Sequence, residues 1–433
     1  MTATYDAIVI GGGPAGASAA GLLAKAGHDV LVLEKEQFPR YHIGESLIPG
    51  LNSVVDELGV RETIDAAGFT RKAGISLLWG AERKLWSIAF GESGPYDYTW
   101  QVKRAEFDLL LLEHARKLGA MVIEHASVRE VLTTDGRATG VTYTIGRGTE
   151  PIRAEARYIV DASGQARILA REFGLVEMHD DLKNLAVWTY YQGGDRLPDE
   201  LSGNILVENH PDGWLWVIPL SDGTQSVGFV GPNDQMAKDD RPSLELLESK
   251  IATSREARKL LRNATRVAGI RTAKDWSYTC TRFHGPGYLT VGDAAAFIDP
   301  LFSTGVTLAM KGASSAAATV SAMLQEPARE EEFATAYDKG LREFLGNVLS
   351  FVRYFYDASK DVEAYWAKAK DLIDPIGRMA SRDDFIIMVS GLNAELAVMQ
   401  PHYDAAPDGV AEGRHASSRN KGEEWARVES VTR

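Results

Sequence analysis

Apolar and polar positions first fall into order at residues 7–10, a short β-branched run that stops at Gly11-Gly12-Gly13. Residues 15–26 are alanine-rich with helical spacing, and Gly27 supplies a natural helix stop. His28-Asp29 then turns into the apolar Val30–Leu33, so the opening segment predicts strand, tight turn, helix, strand. Residues 104–118 predict a second helix, closed by Gly119. Strands are predicted at 121–123, 128–132, 140–144 and 156–160, separated by turns such as Asp135-Gly136. Between about 185 and 280 the chain is richer in Trp, Tyr and period-two alternation, which predicts a second, mostly antiparallel sheet. A Gly-rich element returns at 288–312. Beyond about 326 the pattern is helical, through 327–359 and 361–372, with Pro327 suited to a first helical position. No internal repeat is visible.

The expected fold is therefore α/β: a Rossmann-like nucleotide-binding domain, an inserted antiparallel-sheet domain and a helical C-terminal region. Residues 1–75, 100–184 and 281–325 are assigned to the first, 76–99 and 185–280 to a substrate domain, and 326–401 to the helical region. Residues 402–433 have little that could form a core and are expected to be a flexible tail.

Composition narrows the function classes. A chain of 433 residues has room for two or three domains, and 45% hydrophobic with 25% charged residues is ordinary for a soluble globular protein. No apolar run approaches the roughly 20 residues of a spanning helix; residues 109–112, for example, are bounded by Asp108 and Glu113. Asp6 stands where a leader would be basic, so a mature, cytoplasmic protein is expected. A net charge of −13 argues against nucleic-acid and membrane partners, which need a basic face. The single Cys280 can form neither an intrachain disulfide nor a cysteine metal cluster, and the nine histidines lack metal-site spacing, so no metal is expected. Ser46 and Ser303 have no His and Asp pattern around them that would suggest a hydrolase triad. Arg255, Arg258, Lys259, Arg262 and Arg266 read as a basic helical stretch, either a solvated face or a docking site for an acidic carrier protein.

The chemistry starts at Gly11-x-Gly13-x-x-Gly16, which follows a strand and opens a helix. Glycines there permit a tight turn and close backbone approach, and the helix N-terminus, with Ala15 in its first turn, offers N–H groups to a pyrophosphate. Glu34 ends the second strand, near the roughly 20-residue offset at which a carboxylate accepts ribose hydroxyls.

Two later segments, Asp161-Ala162-Ser163-Gly164 and Val291-Gly292-Asp293-Ala294, resemble the flavin monooxygenase superfamily of the para-hydroxybenzoate hydroxylase type. That resemblance implies FAD rather than NAD. It places Asp293 near the pyrophosphate and ribityl chain, and Arg104, in Arg-x-x-Phe-Asp, against the cofactor. Four further segments are similar to FAD-dependent halogenases acting on phenols, pyrroles or activated alkyl groups. They are the loop Phe38-Pro39-Arg40-Tyr41-His42-Ile43-Gly44-Glu45-Ser46-Leu47; Gly68-Phe69-x-x-Lys72-x-Gly74 with Trp79-Gly80; Trp214-Leu215-Trp216-Val217-Ile218-Pro219; and Asp299-Pro300-Leu301-Phe302-Ser303-Thr304-Gly305-Val306.

The resemblance implies reduced FAD delivered by a separate flavin reductase, with O2 and chloride or bromide forming hypohalous acid at the flavin. Ser303, Thr304 and Gly305 would seat the halide, with Thr304 standing where the family usually has Ser. Arg40, Ser46, Gly305 and Val306 would lie at the flavin, and Trp214 and Trp216 would wall it from the substrate. Lys72 would handle the oxidant, as an ammonium hydrogen-bond donor or as a neutral amine forming a haloamine. The implied substrate is an electron-rich aromatic natural-product precursor, free or tethered to an acyl or peptidyl carrier protein. By spacing alone the Trp pair reads as the aromatic face of an ordinary strand, and both readings can hold at once. Two other functions fit the same fold: a single-component aromatic hydroxylase or isoprenoid-type reductase, and a non-catalytic flavoprotein scaffold.

Overall fold

The β-branched opening run forms the strand Thr4–Ile10, buried on both faces from Ala7 onward. It pairs in parallel with Val30–Leu33 on one side and Ile152–Asp161 on the other. The sheet extends through Met121–Ile123 at one end and Tyr288–Thr290 with His284–Gly285 at the other, and the hairpin Ala126–Thr134/Arg137–Ile145 joins it at Ile152–Asp161. Continuous burial of parallel strands requires cover on both faces. The computed structural model describes residues 4–274, 276–374 and 379–392.

The helix Pro14–Lys25 follows the Gly-rich turn with proline in its first turn, where the missing N–H costs nothing. It packs against Gly305–Gln325 and Arg104–Lys117. Gly292 sits where the first two of these helices meet: a Cβ there would lie 3.1 Å from Ala15 Cβ and 3.2 Å from Ala309 Cβ.

The second sheet takes strands from 74–89 and 184–274. Its order runs Thr265–Arg266, Asn184–Gln192, Thr224–Pro232, Gly213–Pro219, Ile205–His210, Gly74–Leu78, Leu85–Ala89, with Arg271–Lys274 also pairing Asn184–Gln192. All neighbours are antiparallel except Ile205–His210 with Gly74–Leu78. Alternation gives the sheet two apolar faces. Val187, Leu215 and Phe229 pack against Leu246 and Leu247 of the helix Ser243–Thr253, and Val217 and Val227 against Ala257 and Leu261. Trp188, Trp214, Trp216 and Ile218 face the other way, into a cavity.

The helical C-terminal region contains Glu330–Phe355, Val362–Ile373 and Ser381–Val389. Phe302 packs against Phe351, tilted, and Phe355, edge to face, with centroids 5.2 and 4.8 Å apart, so the helix Glu330–Phe355 buttresses the loop that carries Ser303. Residues 402–433 lie outside those described. Among the described residues no helix is long and apolar enough to cross a membrane.

One expectation is corrected. The basic stretch beginning at Arg255 is not one helical face: only Ala257–Leu260 is helical, and Arg266 lies on an edge strand. Lys259 and Arg255 pair with Glu256, and Arg262 pairs with Asp195, so nearby carboxylates offset much of the charge. Glu208 organises the segment instead, because its carboxylate accepts from the backbone N–H groups of Arg255, Glu256 and Ala257.

Candidate functional site

A single cavity of about 1160 Å³ runs from the Gly-rich turn to the aromatic face of the second sheet. It is lined by Gly11, Gly13, Ala15 and Glu34, by Arg40, Ser46, Arg104 and Asp293, and by Ser303, Gly305, Val306, Trp214 and Trp216. Most of the residues singled out by motif therefore share one space, although they come from segments up to three hundred positions apart. Gly16, Lys72 and Thr304 stand behind its wall.

The Gly-rich turn fits a dinucleotide. Gly11 has φ +101°, and a Cβ on Gly16 would lie 1.9 Å from Gly11 O, so these glycines bring helix and strand together without side chains between them. The Glu34 carboxylate is oriented by the N–H of Gly12 at 2.7 Å and that of Glu36 at 2.8 Å, which leaves lone pairs for ribose hydroxyls. Arg40 crosses the turn, with Nη2 3.3 Å from where a Gly13 Cβ would be, and its Nη1 donates to Asp108 at 3.0 Å. Asp293 follows Gly292 in a tight turn, and desolvation raises its carboxyl to about 6 despite the Arg104 charge.

Arg104 lines the cavity and also acts as a clamp. Its Nε and Nη2 form a fork on Asp108 at 2.7 and 2.9 Å, and its Nη1 donates to the carbonyls of Ile43 and Gly44 at 2.8 and 3.3 Å. Most of its donors are thus spent on holding the loop 43–47 to the helix Arg104–Lys117.

Ser303 occupies the left-handed region at φ +58°, which costs a non-glycine residue energy and marks a geometrically determined position. Thr304 alone separates it from the start of Gly305–Gln325, whose first N–H groups have no partner within the helix. Gly305 and Val306 line the cavity, whereas Thr304 is 4% exposed and turned into the protein. The loop is anchored from behind. Asp299 Oδ1 accepts from Leu301 N at 2.9 Å, and Tyr356 Oη donates to Asp299 Oδ2 at 2.9 Å while accepting from Trp214 Nε1 at 3.1 Å and Asn184 Nδ2 at 3.3 Å. Burial pushes the Asp299 carboxyl up to about 7. Tyr356→Phe is expected to cost about 1–3 kcal/mol by orphaning these buried groups, measurable as a lowered denaturation midpoint at unchanged slope.

Lys72 is fully buried at the end of the strand Thr70–Lys72, which pairs with Thr99–Gln101. Its Nζ donates to Ser46 Oγ at 2.8 Å and Leu47 O at 2.7 Å and lies 5.6 Å from the Phe90 ring centre. Among the described residues no carboxylate pairs with it, and desolvation lowers its pKa from 10.5 to about 7. Lys72 is outside the cavity lining, and its hydrogen bond to Ser46 connects it to a residue that lines it. Arg71, the next cation along, is exposed and lies over the Tyr98 ring at 4.4 Å.

The Trp214 and Trp216 rings lie 5.9 Å apart on the cavity face, while Leu215 between them packs into the helix-side core. Gly228 on the neighbouring strand makes the room: a Cβ there would meet the Trp216 ring at 2.3 Å.

The residues match the tryptophan halogenase family over 6–97 and 92–382. The chain belongs to the flavin-dependent halogenases. It is 37% identical over 399 residues to tryptophan 2-halogenase of Chondromyces crocatus, covering 89% of this chain and 75% of that protein. It is 35% identical over 312 residues to the 1H-pyrrole-2-carbonyl-[peptidyl-carrier protein] brominase of Pseudoalteromonas luteoviolacea, covering 71% of this chain and 75% of the relative. The myxobacterial chondrochloren halogenase, a solved FAD-dependent halogenase, superposes with a TM-score of 0.79 at 34% identity, over 91% of this chain and 97% of that one. FAD and halide are thus the cofactors of this halogenase.

Pattern reading missed Glu45, which lines the cavity, and Tyr190, Ser226, Tyr356 and Asn184, which stand behind the lining and hold Glu45, Trp216, Trp214 and the Asp299 loop through hydrogen bonds. Glu45 and Ser46 were adjacent in a recognised loop, but the partners on the second sheet and the C-terminal helix carry no local signal.

Proposed function

We propose that this halogenase acts on an electron-rich aromatic natural-product precursor, phenolic or pyrrolic, using reduced FAD from a separate flavin reductase. The observation that carries the reading is the continuity of the cavity from the dinucleotide turn, past Ser303–Val306, to the Trp-lined sheet face. Bound reduced FAD supplies, with O2, the two-electron oxidation that converts chloride or bromide into hypohalous acid. Every other task falls to the chain.

The halide is held by the N–H groups at the start of Gly305–Gln325, where the helix dipole favours an anion without a cationic side chain. Ser303, in its left-handed conformation, aims that turn at the cavity. The Trp214 and Trp216 rings keep the aromatic substrate from the flavin end, so that only a small oxidant passes. Lys72 and Ser46 stand on its way: an amine near neutrality donates hydrogen bonds as ammonium and can accept halogen as a free base, and both forms are accessible near pH 7.

Tethering is a second reading, favoured by the exposed cavity mouth at Tyr41 and Arg271. The Pseudoalteromonas luteoviolacea relative is named for a pyrrole carried on a peptidyl carrier protein. Turnover with flavin reductase, bromide or chloride, and a panel of free and carrier-bound phenols and pyrroles is expected to give halogenated products by mass spectrometry. Hydroxylated products without halogenated ones would contradict the proposal.

A further inference from the structure

Asp299 stands behind the turn that carries Ser303 and Gly305: Pro300, Ser303 and Gly305 line the cavity, whereas Asp299 lies outside the lining and is 2% exposed. Its Oδ1 accepts from Leu301 N at 2.9 Å, and its Oδ2 from Tyr356 Oη at 2.9 Å and Asn184 Nδ2 at 3.4 Å. The Tyr356 oxygen already takes donors from Trp214 and Asn184, so its own hydrogen is directed at Asp299. Three neutral donors thus converge on a buried carboxyl, and among the described residues no cation pairs with it. The turn itself is compact. Ser303 N donates to Pro300 O at 3.0 Å, which folds this segment into a turn less than about 7 Å across, and the helix start at Gly305 follows it. A charge on Asp299 is therefore roughly 10 Å from an anion held at that helix start. In a surrounding of effective dielectric constant about 20, two like charges at that separation alter a binding constant by about tenfold.

We propose that Asp299 is a positioning residue for the halide, taking up a proton from solvent as the anion enters the turn and releasing it as the anion leaves, with Tyr356 setting the balance. This rests on the halide seat at Ser303–Val306 and adds the condition under which that seat fills. Neutral Asp299 keeps the Leu301 N–H on Oδ1 and carries its proton on Oδ2, so the loop stays anchored. Ionised Asp299 anchors the loop equally well but places a buried negative charge behind an anion site.

Burial, the dominant influence, raises the Asp299 carboxyl to about 7. The groups facing it are the Leu301 N–H of its own loop, Tyr356 just past the helix Glu330–Phe355 and Asn184 of the second sheet; all three favour the carboxylate and none is charged. A halide that prefers the neutral form tenfold raises the carboxyl further, by about one pH unit, because the linkage is reciprocal. Halide affinity is then expected to be full below about pH 7, to fall about tenfold over the next pH unit and to level off above it.

Bromide titration of the FAD-loaded enzyme, read from flavin absorbance at constant ionic strength from pH 6 to 9, measures this without reductant or organic substrate. Glu45, Asp293 and Lys72 also titrate near this window and are common to every variant, so differences between variants isolate Asp299. Asp299→Asn keeps a neutral acceptor for Leu301 N. It is expected to bind bromide as wild type does at pH 6 and about fivefold more tightly at pH 8. A merely structural anchor predicts the reverse, weaker binding at both. Tyr356→Phe removes a donor that favours the carboxylate, so the fall in affinity is expected about one pH unit higher, with bromide held about threefold more tightly than by wild type at pH 8. Should Asp299→Asn fail to hold FAD, Tyr356→Phe and the wild-type curve decide. Wild-type affinity that is flat from pH 6 to 9, an Asp299→Asn curve that follows wild type or lies below it at pH 8, or a fall unmoved in Tyr356→Phe would overturn the proposal. Absence of bromide binding to wild type at every pH would instead overturn the halide seat, and the proposal with it.

Discussion

Lys72→Met is expected to lower halogenated product formation by roughly 10²–10⁴-fold, the range for a positioned proton donor or electrostatic group. FAD binding is expected to persist, because Lys72 lies behind Ser46 and outside the cavity lining. The same substitution is expected to leave stability unchanged or raise it. A fully buried amine without a carboxylate is costly, and methionine fills a similar volume without that desolvation. The sign with pH is fixed: between about 7 and 10.5 the unfolded chain binds more protons at Lys72 than the folded one, so its contribution to stability rises with pH across that window. In Lys72→Met that rise is expected to vanish from denaturation midpoints measured from pH 7 to 10. A large loss of stability at pH 7 would make Lys72 a structural residue.

Gly16→Val is expected to abolish FAD retention. The added Cβ would lie 1.9 Å from Gly11 O, a backbone atom that cannot swing away, and the neighbouring turn is already fixed at Gly11 by Ala162 O, 2.5 Å from where a Cβ would sit. Relief requires the helix Pro14–Lys25 to move off the strand, displacing the N–H groups expected to face a pyrophosphate. An overpacking strain of about 3 kcal/mol placed wholly on the holo state corresponds to about a 100-fold loss of affinity. Flavin absorbance remaining after gel filtration measures it, and wild-type retention would contradict the assigned position of the pyrophosphate.

The two halves of the site were unequally legible. The Gly-rich turn, Glu34 and the helix after Thr304 could be read because each is a local device, in which chain direction and backbone N–H groups do the work within a few residues. Trp214 and Trp216 were ambiguous for a physical reason: alternation says that two rings share a face, and the second sheet has apolar groups on both. Which face met the cavity depended on the helix Ser243–Thr253 covering the other.

Lys72 was recognisable by its segment, yet its burial, its bond to Ser46 and its lowered pKa come from the pairing of Thr70–Lys72 with Thr99–Gln101. The hydrogen bonds from Tyr190 to Glu45 and from Tyr356 to Asp299 link positions 145 and 57 residues apart, beyond any local pattern. The basic stretch at 255–266 misled because charge spacing says nothing of the carboxylates that fold against it, and Glu256 and Asp195 do so.

The seat of the halide is tested most directly by anomalous diffraction from crystals of the FAD-loaded protein soaked in bromide. A bromide peak within about 3.5 Å of the Gly305 and Val306 nitrogens, facing the cavity that Ser46 and Trp216 share, is the expected result. Full flavin occupancy with bromide absent from that helix start, or held by a cationic side chain elsewhere, would contradict it.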